Sequence, residues 1–293
     1  MSNPLVYIKL LFTAIFWGGT FVAGRALADQ VPPFSAAFLR FVLAAIPLSI
    51  MMVNIHGRFP MINVKMLVSM LLLGLTGVFC YNLFFFKGLH YIPAGRASII
   101  IANNPIFIAL ASAFFFKEKL NAVKIIGILI SVSGAIIAIT KGDFQMIRNQ
   151  GLGIGDGYIL LAVVSWVSYS LIGKRVMRNY TALEAVACSS LLGAVLLFPP
   201  ALCEGLASDV LTYSLLNWIN LVYLGIFGTV LGFVWYYEGI HKLGPAKASI
   251  FINFVPISAI IMAFFILGEP ITLSLLIGAA MVTAGVYLVS VHK

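Results

Sequence analysis

Charge is what this chain has least of. Only 9% of its 293 residues are charged, with nine Asp and Glu against eighteen Lys and Arg. Soluble domains carry about 25%, so most of this surface is not built for water. Nine acids and four histidines form no HExxH, no Ser-His-Asp arrangement and no Cys/His metal spacing. A metal centre or cofactor is therefore not expected, and an enzyme would need such groups near a membrane interface. The three cysteines, Cys80, Cys188 and Cys203, have no CxxC or paired spacing and read as small packing residues. Too little Glu and Lys is present for a coiled coil or a solenoid. Alternating polar and apolar segments, the mark of an outer-membrane barrel, are missing as well.

Apolar residues are there instead: 62% of the chain, with a mean hydropathy of +1.08. That excludes disorder and exceeds what one soluble core can bury. A membrane-crossing helix takes about 20 apolar residues. The runs between charges and turn residues give ten: Leu5–Gly24, Phe34–Val53, Met66–Phe86, Ala97–Phe116, Val123–Ile139, Gly157–Ile172, Ala182–Leu202, Trp218–Tyr237, Ala246–Leu267 and Thr272–Val291. The fold class is an all-α membrane protein of ten transmembrane helices. Lys9, an apolar stretch and Ala26-Leu27-Ala28 imitate a cleavable signal, but the stretch has a later copy, so it is expected to stay as the first helix. Twelve Lys and Arg fall on the side of the N-terminus and six on the other. Both termini are thus expected in the cytoplasm, in a multi-pass cytoplasmic (inner) membrane protein. The positive charge is a membrane-topology signal, and no nucleic-acid partner is expected.

A shift of 151 residues lays the third to fifth spans on the eighth to tenth without a gap. Gly74 meets Gly225, Gly77 meets Gly228, Ala97-Ser98-Ile99 meets Ala248-Ser249-Ile250, Pro105 meets Pro256, and Glu118 meets Glu269. Phe84-Phe85-Phe86 meets Trp235-Tyr236-Tyr237, and a shift of 149 lays Trp17 on Trp166. The chain divides into a first five-helix repeat (1–142), a linker (143–156) and a second repeat (157–293). Five is odd, so the second repeat must be inverted. Inverted repeats around a midplane site are the architecture of many secondary transporters.

The segment Gly88-Leu89…Ala97-Ser98…Pro105…Glu118 and its copy Gly239-Ile240…Ala248-Ser249…Pro256…Glu269 resemble the repeating signature of the drug/metabolite transporter superfamily, EamA type. Phe16-Trp17-Gly18-Gly19-Thr20-Phe21-Val22 resembles that family's first-helix motif, and Leu39-Arg40-Phe41 its second. The resemblance spans essentially the whole chain. It implies carrier-type transport of small metabolites such as amino acids, with alternating access and export as the expected mode. A membrane-embedded enzyme acting on a lipid or metabolite is the alternative. One departure stands out: the second copy of Arg40 falls near Ser189 and carries no charge.

Candidate site residues follow from polarity inside apolar runs. Pro105 and Pro256 each remove a helical N–H, and carbonyls so freed are tolerated where they are buried in protein or line a cavity. Asn103, Asn104 and Asn253 precede them, and the matched Ser98 and Ser249 join the expected lining. Trp17 and Trp166 lie inside their spans rather than at headgroup level, and with Tyr81, Tyr169 and Tyr236 they would make an aromatic wall for rings or cations, with Trp235 a further candidate for the lining. Arg40, two turns into its span, snorkels outward, holds a substrate carboxylate or holds structural carbonyls. Glu238 and His241 sit at the end of the eighth span, as a solvated rim or as gating groups. Glu118 and Glu269 are expected to cap the helix that follows each. The small-residue faces Gly127/Ser131/Gly134 and Gly278/Met281/Gly285 should pack helices within each repeat, leaving a monomer or weak homodimer. The remaining expected partners are a small-molecule substrate and the lipid bilayer.

Overall fold

Runs of 18 or more apolar residues leave the backbone no water to bond, and a helix satisfies every amide internally. A computed structural model describes residues 4–56, 64–117, 121–142, 153–243, 248 and 251–291. Among these, nine helices are long and apolar enough to cross a membrane, and a tenth apolar helix, Phe251–Leu267, is shorter. They are α1 Pro4–Leu27, α2 Pro33–His56, α3 Val64–Tyr91, α4 in two halves (Ala94–Ile101 and Asn104–Phe116), α5 Ala122–Thr140, α6 Ile154–Val176, α7 Ala182–Cys203, α8 in three consecutive parts (Leu215–Val222, Tyr223–Leu231 and Gly232–Leu243), α9 Phe251–Leu267 and α10 Leu273–Val291. The ten spans read from the sequence are these ten rods. A short helix, Leu206–Asp209, joins α7 to α8. The expected linker lies mostly outside the described residues.

Symmetry shows in what lipid would touch. Phe114 of α4 is 79% exposed and its counterpart Phe265 of α9 is 78% exposed. It also shows in the packing. α5 lies on α10 and α2 on α7, each helix against its own counterpart, while α1 packs on α8 and α9 as α6 packs on α3 and α4. The two inverted repeats are therefore interleaved, and most helix contacts cross from one to the other.

The small-residue faces are part of this interleaving, which corrects the expectation of packing inside each repeat. A Cβ on Gly134 would stand 2.8 Å from the Gly278 carbonyl, and one on Gly278 would stand 2.7 Å from the Gly134 carbonyl. Only missing side chains let α5 and α10 approach this closely.

Call the membrane face where α1 begins face A and the opposite one face B. Face B is tied repeatedly across helices. Arg25 donates to the carbonyls of Leu89 (2.7 Å) and His90 (2.8 Å) at the end of α3. Glu204, just past α7, accepts the N–H groups of Phe34 (2.8 Å) and Ser35 (3.1 Å) in the first turn of α2. Burial holds the Glu204 carboxyl above its usual range, although those donors and Lys87 pull it down. Glu269 accepts from Ala94 (2.8 Å) and Gly95 (3.2 Å). It thus caps α4 rather than the following helix, because the chain turns at Gly268 (φ 68°) and brings the carboxylate to the positive end of a helix in the other repeat. Thr272 caps α10 instead, accepting from Leu275 N at 3.2 Å. Glu118 lies outside the described residues. Arg96 of α4 and Asp156 of α6 form a two-pronged ion pair at 2.9 and 2.5 Å. On face A, Lys9 of α1 pairs with Glu238 of α8 at 2.7 Å.

Candidate functional site

Two interruptions of regular helix set up the centre. α4 breaks at Ala102-Asn103 and restarts with Pro105 in its first turn, while α9 begins with a 3-10 turn, Phe251–Asn253, just before Pro256. Matched π-helical segments interrupt α3 at Gly74–Cys80 and α8 at Tyr223–Leu231. A π turn widens the hydrogen-bond ladder and occurs often at functional sites. The carbonyls here are met by side chains. Asn82 Nδ2 donates to Val78 O at 2.8 Å, Thr229 Oγ1 to Leu224 O at 3.0 Å, and Trp17 Nε1 to Gly228 O at 3.0 Å.

Around these segments the aromatic side chains of both repeats meet. The Trp17 ring lies 5.2 Å from Tyr236, and the Trp166 ring lies 5.1 Å from Tyr81 and 5.2 Å from Tyr169, all between centroids. Phe233 joins the two groups, 5.7 Å from Trp17 and 6.3 Å from Trp166. Gly77 makes the room, since a Cβ there would collide with the Tyr169 ring. Four helices, α1 and α3 from one repeat and α6 and α8 from the other, thus supply one continuous aromatic cluster. Toward face A it borders a cavity of about 110 Å³, lined by Leu48, Met51 and Ile55 of α2, Leu183 and Val186 of α7, and Phe233, Val234 and Tyr237 of α8. Phe233 belongs to both the cluster and the cavity wall.

Arg40 does not snorkel. It is 7% exposed, its Nη1 donates to Asn82 Oδ1 at 3.0 Å and its Nε to Thr229 Oγ1 at 3.2 Å. The guanidinium carbon stands 5.4 Å from the Phe41 ring centroid. One side chain of the first repeat therefore joins the π segment of α8, through Thr229, to Asn82, which in turn holds Val78 in the π segment of α3. Translocon scales put a central arginine at about 2.5–3.5 kcal/mol, and these neutral partners offset part of that.

The model of the EamA-like transporter family matches the chain twice, over residues 4–140 and 153–291. The chain belongs to the EamA-like transporter family. It is 30% identical over 286 residues to an uncharacterized transporter of Bacillus subtilis (strain 168), YyaM, covering 98% of this chain and 93% of that one. It is 29% identical over 284 residues to a probable terminal-alkyne amino-acid exporter of Streptantibioticus cattleyicolor, covering 96% and 92%. A solved crystal structure shares the fold at a TM-score of 0.63 with 20% identity, covering 98% of both chains.

In this transporter the remaining candidates are distributed along α4, at the start of α9 and on α8. Asn103 is buried in the α4 break, donating to Ile99 O at 2.9 Å and accepting from Ser131 of α5 at 2.7 Å. Both ends of its amide are thus engaged, the nitrogen within α4 and the oxygen in tying the break to α5. Ser98 donates to Gly95 O within α4 at 2.7 Å. Asn104 is buried, and its Oδ1 has no partner among the described residues. Asn253 is buried in the turn that starts α9. Trp235 packs at a tilt against Phe16, 5.6 Å between centroids, since one residue of helix rotates it about 100° from Tyr236. Glu238 is ion-paired with both Lys9 and Lys242. Ser249 and the His241 side chain lie outside what is described.

Asn82, Thr229 and Phe233 escaped the sequence reading. Asn82 carried a signal, as an amide inside an apolar run beside Tyr81. Phe233 carried none, because aromatics make up 13% of the chain.

Proposed function

We propose that this protein is a secondary carrier that exports small metabolites, amino acids or related organic compounds, across the cytoplasmic membrane by alternating access. Face A is then cytoplasmic, with both termini on that side, following the excess of Lys and Arg there. The transport unit is two five-helix repeats, 1–142 and 157–293, joined by 143–156. The observation that carries this reading is the aromatic cluster assembled from α1, α3, α6 and α8. A site made by both repeats changes its access when one rocks against the other, and rings with a few polar groups are what ligand pockets usually combine. Ties across face B and a cavity on the face A side of the cluster fit a conformation whose path leads toward the cytoplasm. The exporter name of one relative supports the substrate class.

The test is counterflow in proteoliposomes with a panel of amino acids, with and without a pH gradient. We expect exchange of aromatic or apolar amino acids. Phe233→Ala should raise KM about tenfold, the scale set by removing one packed ring from a ligand contact. Absence of exchange across the panel, or an unchanged KM in Phe233→Ala, would remove the central site.

A further inference from the structure

The repeats are alike where the fold needs them alike, so a position where they differ in charge asks for a reason outside the fold. Arg40 is such a position. Its counterpart, Ser189, is buried and bonds back to Val186 O at 3.2 Å within its own helix. The α2 and α7 helices still pack against each other, so the architecture is satisfied without a cation at that place. The partners of Arg40 break symmetry as well. The counterpart of Asn82 is Phe233 and that of Thr229 is Val78. The centre therefore has a polar pole, Arg40 with Asn82 and Thr229, and an apolar pole around Phe233.

The charge at the polar pole is not neutralised. Among the described residues no carboxylate pairs with Arg40; the acids that form ion pairs, Asp29, Asp156 and Glu238, lie near the membrane faces. A guanidinium has five N–H donors, and only Nε and Nη1 are engaged by described residues. Nη2 stands 3.8 Å from the place a Gly228 Cβ would take, and the Thr20 methyl covers that glycine at 2.5 Å from the same point. The carbonyl of that same glycine holds the Trp17 indole. Arg40 thus meets the aromatic cluster at a backbone stretch without a side chain. From there the face of α2 that carries Arg40 leads toward Leu48 and Met51 of the apolar cavity, about 12 Å further along at 1.5 Å per residue.

We propose that Arg40 is the anion-binding point of the transport path, and that the cargo is a monocarboxylate with an apolar or aromatic body. The carboxylate bonds to Nη2, while the body lies against Trp17, Trp166 and Phe233 and extends toward the cavity. Fork-like donors suit a planar carboxylate, and a charge-assisted bond in a dry site is about twice as strong as a neutral one. Amino acids fall within this class by their carboxylate. Because Arg40 also links Asn82 of α3 to Thr229 of α8, an arriving anion acts directly on a joint between the repeats.

This proposal rests on the central-site reading. It is tested by calorimetric titration of the full chain in lipid nanodiscs with 3-phenylpropionate, 3-phenylpropionamide and phenethylamine. The wild type should bind the carboxylate at least tenfold more tightly than the amide, and the amine more weakly still. Arg40→Gln should abolish the carboxylate preference, so that carboxylate and amide bind alike, and Arg40→Lys should restore part of it. Equal affinities for carboxylate and amide in the wild type would overturn the proposal without any variant, as would a preference surviving in Arg40→Gln. The central-site reading fails separately, if Phe233→Ala leaves amide binding unchanged.

Discussion

In the first repeat, Gly127 and Gly134 of α5 lie against the backbone of Gly285 and Gly278 in the second, and the relation reads the same in either direction. At the centre the same comparison fails: Asn82 faces Arg40 from α3, while the matching position of α8 carries Phe233, edge-on to Trp17. Contacts that hold one helix to its own counterpart must stay alike, since a change in one copy breaks both sides of the interface. A central site is under no such restriction, because each position there is seen by the cargo only once. Breaking the symmetry gives the proposed site one polar and one apolar pole.

That contrast can be broken most severely at the shared scaffold. Gly134→Leu places four carbons where the α10 backbone passes, and no side chain is available to yield. We expect no monodisperse protein by size exclusion, and the same from Gly285→Leu. A folded Gly134→Leu would show that α5 and α10 are not held by close approach.

The next effect belongs to the Arg96–Asp156 pair, a tie on face B. The Asp156 side chain is 1% exposed, and removing one partner of a buried pair strands the other charge at about 3–5 kcal/mol. Arg96→Ala should lower the melting temperature sharply, and Arg96→Met with Asp156→Leu should recover most of the loss. A double variant as unstable as the single one would place the cost in packing instead.

A smaller effect sharpens the comparison of α4 with α9. Asn103→Ala leaves the buried Ser131 hydroxyl without its acceptor, worth about 1–3 kcal/mol. It should therefore destabilise the protein more than Asn253→Ala, whose counterpart position in α4 is Ala102. Thermal melts of the two variants in one detergent make the check, and equal melting temperatures would remove Asn103 from the scaffold.

The smallest effect is expected on face A. The Lys9 and Glu238 side chains are 25% and 27% exposed, and pairs this wet contribute about 0.2–1 kcal/mol. Lys9→Ala should shift the melting temperature slightly, and less at high salt. A shift as large as that of Arg96→Ala would make face A the tied face.

Much of the fold was legible along the chain. Span lengths, the prolines at the two helix breaks and the register of the repeat are all local properties of the sequence. The helical state follows too, since apolar runs in a bilayer can satisfy their backbone in few ways. Trp17, Tyr81, Trp166, Tyr169 and Tyr236 were read as one wall, and they are one cluster. The π segments had only the matched glycines to announce them, and glycines in membrane helices usually mean close packing.

What the sequence determined by itself is the number of crossings, their hydrophobic character and the inversion of one half on the other, because hydropathy and an odd helix count need no knowledge of neighbours. Tertiary structure alone decided who meets whom. The partners of Arg40 lie 42 and 189 residues away, and Glu269 caps a helix whose first residues stand 175 and 174 positions earlier. Such pairings depend on how two interleaved repeats rotate and slide against each other, and each span's hydropathy is nearly indifferent to that rotation.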